Sequence, residues 1–218
     1  MTTPPRIVCF DWGGVILRIC RSFREGCERA GLDVRDISDP ELTQIRRTLV
    51  VEYQRGQLTP NEYFRRTSEA MAGAYSAEEV ARLDHAWLVG EYDGVGALVD
   101  ELNGMAGIET ALLSNTSERH FARGTGPEAD FEVISRLTHI HASHLLGHTK
   151  PGEEIYRAFE RETGAASDEI LFFDDLEDNI ATARRVGWRS EQIDHTGDTA
   201  TQMRLYLRDH GIEVAQPD

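Results

Sequence analysis

The sequence predicts an α/β protein, with a Rossmann-like parallel sheet, helices on both faces and an inserted α-helical cap. Three observations carry that expectation. Short apolar runs end at polar residues in three places: 7–10 before Asp11, 108–113 before Ser114 and Asn115, and 170–173 before Asp174 and Asp175. From Val95 onward helical patterns alternate with such runs, while unbroken helical signals fill the roughly 70 residues between the first two. Strands alternating with helices build a parallel sheet that binds ligands at the carboxyl ends of its strands.

The first strand, Ile7-Val8-Cys9-Phe10, delivers Asp11 to that edge, and Gly13 and Gly14 behind it let backbone groups approach a ligand closely. Leu42, Ile45 and Leu49 then recur at helical spacing behind an Asp39 N-cap and Pro40 in the first turn. Thr59-Pro60-Asn61-Glu62 and Ser76-Ala77-Glu78-Glu79 read as capping boxes. They open two further helices, one carrying Tyr63, Phe64 and Met71, the other Val80, Leu83 and Trp87. The expected division is a core of residues 1–16 and 92–218 with a helical cap at 17–91. Leu98, Val99 and Leu102 form a helix face stopped by Gly104, strand 108–113 follows, and 137–142 is a weaker strand pattern. A helix with Ile155, Tyr156 and Phe159 begins after Lys150-Pro151. Strand 170–173, a helix through Ile180, Ala183 and Val186 ending at Gly187, a strand within 188–193 and a helix around 203–207 complete the alternation. Residues 214–218 read as a loose tail.

With 218 residues, 40% of them hydrophobic, the chain can bury a full core. No apolar run approaches the roughly 20 residues of a membrane span, and residues 1–6 lead into a strand without a signal-peptide core. The expectation is a cytoplasmic protein with no membrane partner. A formal net charge of −15 argues against nucleic-acid binding, which needs basic surface to displace counterions. A small anionic substrate is compatible with that charge if a metal or a few Lys and Arg side chains supply local positive potential; Arg18 and Arg21, just past the first strand, are candidates. Cys9, Cys20 and Cys27 form no CxxC motif and read as buried thiols. His139, His141, His144 and His148 match no common zinc spacing.

Residues at strand ends meet even when they are far apart in sequence. Asp11, Ser114 and Asp175 occupy that position, and Lys150, before a helix in the same alternation, can reach them. Asp11, Asp174 and Asp175 have few basic neighbours and repel one another unless a cation joins them, and an all-oxygen donor set suits Mg²⁺. A metal, a lysine and a hydroxyl around one carboxylate suit phosphoryl transfer, with Asp11 attacking phosphorus while Mg²⁺, Lys150 and Ser114 hold its oxygens.

These stretches resemble the motifs of the haloacid dehalogenase-like hydrolases, most of which are Mg²⁺-dependent phosphatases. Phe10-Asp11-Trp12-Gly13-Gly14-Val15 is similar to the first motif, Leu112-Leu113-Ser114-Asn115 to the second, Lys150-Pro151 to the third, and Phe172-Phe173-Asp174-Asp175 continuing to Asn179 to the fourth. The resemblance implies that Asp11 is the nucleophile and a Mg²⁺ ligand. Gly13 would offer its backbone carbonyl to the metal and Asp175 the second carboxylate, with Asp174 a further candidate. Ser114, Asn115 and Lys150 would bind the phosphoryl group of a small phosphorylated metabolite, and Asn179 stands where many relatives have an acid, so its part in the metal shell would be indirect.

One departure bears on mechanism. Phosphatases of that family usually carry a second aspartate two residues after the nucleophile, where this chain has Gly13. The missing acid/base is typically worth ~10²–10⁴-fold. Either another group supplies the proton, or the leaving oxygen is acidic enough to depart unaided, as in an anomeric or acyl phosphate. The glycine variant also resembles a subgroup that includes sugar-phosphate phosphatases. Two alternatives stay open: a catalytically silent binding or regulatory module, favoured by Gly13 and opposed by the four retained residues Asp11, Ser114, Lys150 and Asp175, and a metal-independent 2-haloacid dehalogenase, opposed by the Asp174-Asp175 pair.

Overall fold

The computed structural model describes residues 4–127 and 129–215. The chain begins with β1 (Ile7–Phe10) and turns into β2 (Leu17–Ile19). Four helices follow, α1 (Phe23–Ala30), α2 (Pro40–Gln54), α3 (Pro60–Glu69) and α4 (Ala77–Ala86), before β3 (Leu88–Glu91). Next come α5 (Val95–Asn103), β4 (Glu109–Ser114), α6 (Glu118–Thr125), β5 (His139–Ala142) and the short α7 (Ser143–Leu146). The chain ends with α8 (Glu153–Thr163), β6 (Ile170–Asp174), α9 (Glu177–Arg185), β7 (Arg189–Gln192) and α10 (Thr199–Asp209).

Five strands form one parallel sheet in the order β5-β4-β1-β6-β7. Because β1 is central, its side chains are buried on both faces, which explains an apolar run without alternation. Val8, Phe10 and Leu112 pack on one face with Leu98, Val99 and Leu102 of α5 and Met203 and Leu207 of α10. Ile7, Cys9 and Leu113 pack on the other with Ile155, Tyr156 and Phe159 of α8 and Ile180 and Ala183 of α9. Phe10 is level with Leu112 and Phe173, so Asp11 emerges beside Asp174, with its N–H donating to the Phe173 carbonyl at 2.8 Å.

The inserted helices have a core of their own, made by Cys27, Leu32, Phe64, Met71, Tyr75 and Val80. Their starts are where the sequence marks them. Asp39 accepts from Leu42 N–H at 2.9 Å, and both capping boxes, Thr59 with Glu62 and Ser76 with Glu79, are closed.

Three expectations are corrected. The segment 17–91 is not wholly helical, since it begins and ends in β2 and β3, an antiparallel ribbon with a bulge between Arg18 and Ile19. Strands this short, one containing Gly90, are too brief for a periodic signal. The tail is anchored at Val214, which is 7% exposed and joins the core, and at Ala215, whose N–H donates to Glu101 Oε1 at 2.6 Å; residues 216–218 lie outside the described residues. Ser114 is the last residue of its strand rather than the first beyond it, whereas Asp175 does follow its strand directly.

The three cysteines are free and buried. Among the described residues no helix is long and apolar enough to cross a membrane.

Phe172 lies under the site, its ring edge-on to Tyr156 and Trp188 at 6.1 and 5.7 Å, with no exposed surface. Phe172→Ala is expected to cost about 3–5 kcal/mol, read from the urea midpoint at unchanged slope.

Candidate active site

Asp11, Lys150 and Asp174 meet at the carboxyl edge of the sheet. The Lys150 side chain has no exposure, and its Nζ stands 2.7 Å from Asp174 Oδ2 and 3.0 Å from Asp11 Oδ1. Trp12 N–H donates to Asp11 Oδ1 at 2.6 Å, fixing that carboxylate from behind. Asn179 Nδ2 reaches both oxygens of Asp174, at 2.9 and 3.0 Å, and Leu176 N–H donates to its Oδ1 at 2.9 Å. Asn115 clasps the backbone of Lys150, its Nδ2 donating to the Lys150 carbonyl and its Oδ1 accepting from the Lys150 N–H, both at 2.8 Å.

Asp175 approaches over Gly14, where φ is +81° and a Cβ would fall 2.5 Å from the Asp175 carboxyl carbon. Glycine is required there by conformation and by space. Gly13 is different, because a Cβ would meet Ile19 only at an ordinary 3.4 Å. A Cβ is therefore accommodated at Gly13, where it is not at Gly14.

Oxygens of Asp11, Asp174 and Asp175 lie within 4.8 Å of one another. Burial lifts Asp11 most, with Lys150 opposing and Asp174 and Asp175 adding, so that its carboxyl is pushed up to about 7. Burial and then Asp174 raise Asp175, while His195, its Nδ1 3.4 Å from Asp175 Oδ2, draws it down. Burial presses the Lys150 ammonium down, but Asp11 and Asp174 outweigh it and hold the group above its ordinary value. One ammonium thus serves three clustered acids, and a second cation among these hard oxygen donors would relieve the remaining repulsion.

A family model described as haloacid dehalogenase-like hydrolase matches residues 5–187. The chain belongs to the haloacid dehalogenase-like hydrolases. It is 26% identical over 208 residues to the D-ribitol-5-phosphate phosphatase of Bacteroides thetaiotaomicron, covering 92% of this chain and 97% of that protein. It is 27% identical over 131 residues to Phosphatase MT3486 of Mycobacterium tuberculosis, covering 60% and 59%. Among solved structures, the haloacid dehalogenase-family enzyme bt-2542 of Bacteroides thetaiotaomicron, in complex with magnesium and inorganic phosphate, superposes with a TM-score of 0.68 at 21% identity, over 88% of this chain and 96% of that one.

In this hydrolase the edge opens into a cavity of about 540 Å³ between sheet and inserted helices, lined at its floor by Asp11, Gly13, Ser114, Asn115, Lys150 and Asp175. Trp12 and Trp87 also line it, whereas Arg18, paired with Glu25 at 2.7 Å, and Arg21, which donates to the His195 carbonyl, do not. The histidine run finds other partners: His139 bonds Glu109 and stacks with His141 at 6.3 Å, His141 packs edge-on to Phe159, and His144 meets the Thr116 carbonyl. Sequence reasoning missed Asp84 and His120 at the cavity wall and His195 beside Asp175. None carries a local signal, since each is an ordinary polar residue on a helix or loop until folding brings it across.

Lys150→Met leaves the carboxylates uncompensated and is expected to cost about 3–5 kcal/mol in urea unfolding with chelator present, with part of the loss recovered by added Mg²⁺. The raised pKa of Asp11 makes a second prediction. Its folded pKa, about 7, lies above its ordinary 3.8, so without divalent cation its protonation stabilises the fold fully below pH 3.8, and that contribution is lost as pH rises towards 7. Unfolding midpoints of the wild type should fall over that interval more steeply than those of Asp11→Asn.

Proposed function

We propose that the chain is a Mg²⁺-dependent hydrolase of small phosphate monoesters that works through an aspartyl phosphate on Asp11. The observation that carries this reading is the Lys150 ammonium, buried between Asp11 and Asp174 at the floor of a cavity. Support comes from the phosphatase relatives, one of them named for a sugar-alcohol phosphate, and from the neighbour solved with magnesium and phosphate. In this reading residues 1–16 and 92–218 are the catalytic core and 17–91 the cap that covers the substrate. The free, buried cysteines accord with a cytoplasmic setting.

Asp11, Asp175 and the Gly13 carbonyl would hold Mg²⁺, which when bound neutralises charge on phosphoryl oxygens. Asp174, already engaged by Lys150, Asn179 and Leu176, would serve as the counter-ion that positions Lys150 rather than as a metal ligand. Asn179 would act indirectly through Asp174. Ser114 would offer its hydroxyl to the phosphoryl group. The Asn115 side chain is spent on Lys150, so its contribution to the phosphoryl group would pass to its backbone N–H.

An Asp11 carboxylate oxygen would attack phosphorus, forming an O–P bond as the bond to the leaving oxygen breaks, and with Gly13 in the acid/base position the leaving oxygen would take its proton from solvent. Water would then attack phosphorus and give up a proton to solvent as the Asp11 O–P bond breaks and phosphate departs. Lys150 favours the ionised form of Asp11 and holds charge that develops on phosphoryl oxygens. With Gly13 in place of an acid, esters with acidic leaving oxygens, including anomeric sugar phosphates, should turn over fastest.

Phosphate release from a panel of sugar, acyl and p-nitrophenyl phosphates tests the reading. Chelator should abolish turnover and Asp11→Asn should lower it by at least ~10³-fold. Release indifferent to both would overturn it; no release at all would favour the silent module, and halide release from a 2-haloacid with chelator present the dehalogenase.

A further inference from the structure

We infer that the substrates are phosphate monoesters of small, uncharged phenols, with the phosphoryl group on the charged floor and the aromatic ring against apolar walls. The inference rests on the phosphomonoesterase reading above and names the half of the substrate that leaves.

The cavity has unspent charge at one end only. Across from Asp11, Lys150 and Asp175 the inserted segment lines it with Phe23, Tyr63, Met71, Val80, Leu83 and Trp87. Two charged residues of that segment also line it, and both are engaged. Arg46 donates to the Ala70 and Ile37 carbonyls and the Thr43 hydroxyl at 2.5–2.6 Å, and the Asp84 carboxylate lies by Arg119 and His120 at 3.5 and 3.3 Å. The Tyr53 and Thr67 hydroxyls are shut away in the packing. What stays polar on that side is neutral, the Gln54 amide and the Tyr63 hydroxyl among it. A polyol would bury several hydroxyls against carbon there, and a leaving group with a second charge would bury that charge unpaired.

Exposure of the lining leads independently to the same kind of ligand. Leu176, directly after Asp175, is 55% exposed, and Val50 on α2 is 38% exposed, although both line the cavity. Apolar surface left in water at a cavity wall is stabilised by whatever apolar area covers it. An aryl ring covers it and also meets aromatic walls offset or edge-on, and about 540 Å³ is ample for one or two fused rings.

Gly13 selects the same class by chemistry. With no acid at that position, the acidity of the leaving oxygen governs the first step. A phenol ionises at about pH 10, as tyrosine does, whereas an aliphatic hydroxyl lies towards water's value of about 15.7. As the Asp11 O–P bond forms, the bond from phosphorus to the phenol oxygen breaks with its electron pair on that oxygen, which then takes a proton from solvent. An anomeric sugar phosphate satisfies this chemistry but not the walls, and an aryl phosphate satisfies both.

The test measures calorimetric binding of 1-naphthyl phosphate, glucose 1-phosphate and ribitol 5-phosphate to Asp11→Asn with Mg²⁺, and kcat and KM for the same esters with the wild type. The naphthyl ester should bind about tenfold or more tighter than either sugar ester and lead in kcat/KM by more than that. Val50→Gln and Leu176→Gln, each placed on the Asp11→Asn background and each changing an exposed side chain, should narrow the lead in binding about threefold or more. Equal or tighter binding of a sugar ester, a naphthyl lead confined to kcat, or a lead that both substitutions leave intact would overturn the inference. Naphthyl-selective binding without wild-type turnover would sink the phosphatase reading alone. Turnover of all three esters with no naphthyl lead in binding would sink this inference alone.

Discussion

The Lys150 ammonium, fully buried with carboxylate oxygens at 2.7 and 3.0 Å, is the constraint around which the rest of the molecule is arranged. A buried charge without its partners is among the most expensive defects a protein can hold, so every element that brings those partners must keep its register. The pairing of β1 with β6 sets Asp11 level with Asp174. Asn115, from the end of β4, grips the backbone at residue 150, and Asn179, from α9, grips Asp174. Tyr156 then donates to the Asn179 carbonyl at 2.9 Å and packs against Trp188, which ties the polar cluster to the core on that face.

The same arrangement leaves the site with more negative charge than one lysine can balance. Asp175 comes in over Gly14 at a distance that only glycine permits, bringing a third carboxylate to within 4.8 Å of the other two. Gly14 and Gly13 are therefore neighbours with unlike reasons. Gly14 is held by its positive φ and by the Asp175 carboxylate above it, whereas a Cβ at Gly13 would only reach Ile19 at 3.4 Å. Above this polar floor the inserted helices present aromatic and apolar surface, Tyr53, Tyr63 and Trp87 among it, so the cavity has a charged base and a largely apolar roof.

Much of this was legible locally. The capping residues Asp39, Thr59 and Ser76 marked three helix starts, and the apolar runs ending at Asp11, Ser114 and Asp174 marked the strands and their order of chemistry. Strand β2 and its partner β3 were not legible, because three or four residues carry no period and their pairing spans about seventy positions of sequence. Nor was the division of labour within the site. Asn115 and Asp174 look like ligand-binding residues in their motifs, yet their side chains are occupied in holding Lys150.

The sequence by itself determined the α/β class, the family motifs and which residues reach the carboxyl edge, since apolar period, capping chemistry and strand-end position are all properties of neighbours along the chain. Only the tertiary structure decided how many partners each polar atom finds. That count separates Asp174, held by Lys150, Asn179 and Leu176 at 2.7–3.0 Å, from Asp84, whose carboxylate meets Arg119 and His120 only at 3.5 and 3.3 Å. The two aspartates differ through what folding brings across space, and no local pattern of sequence records it.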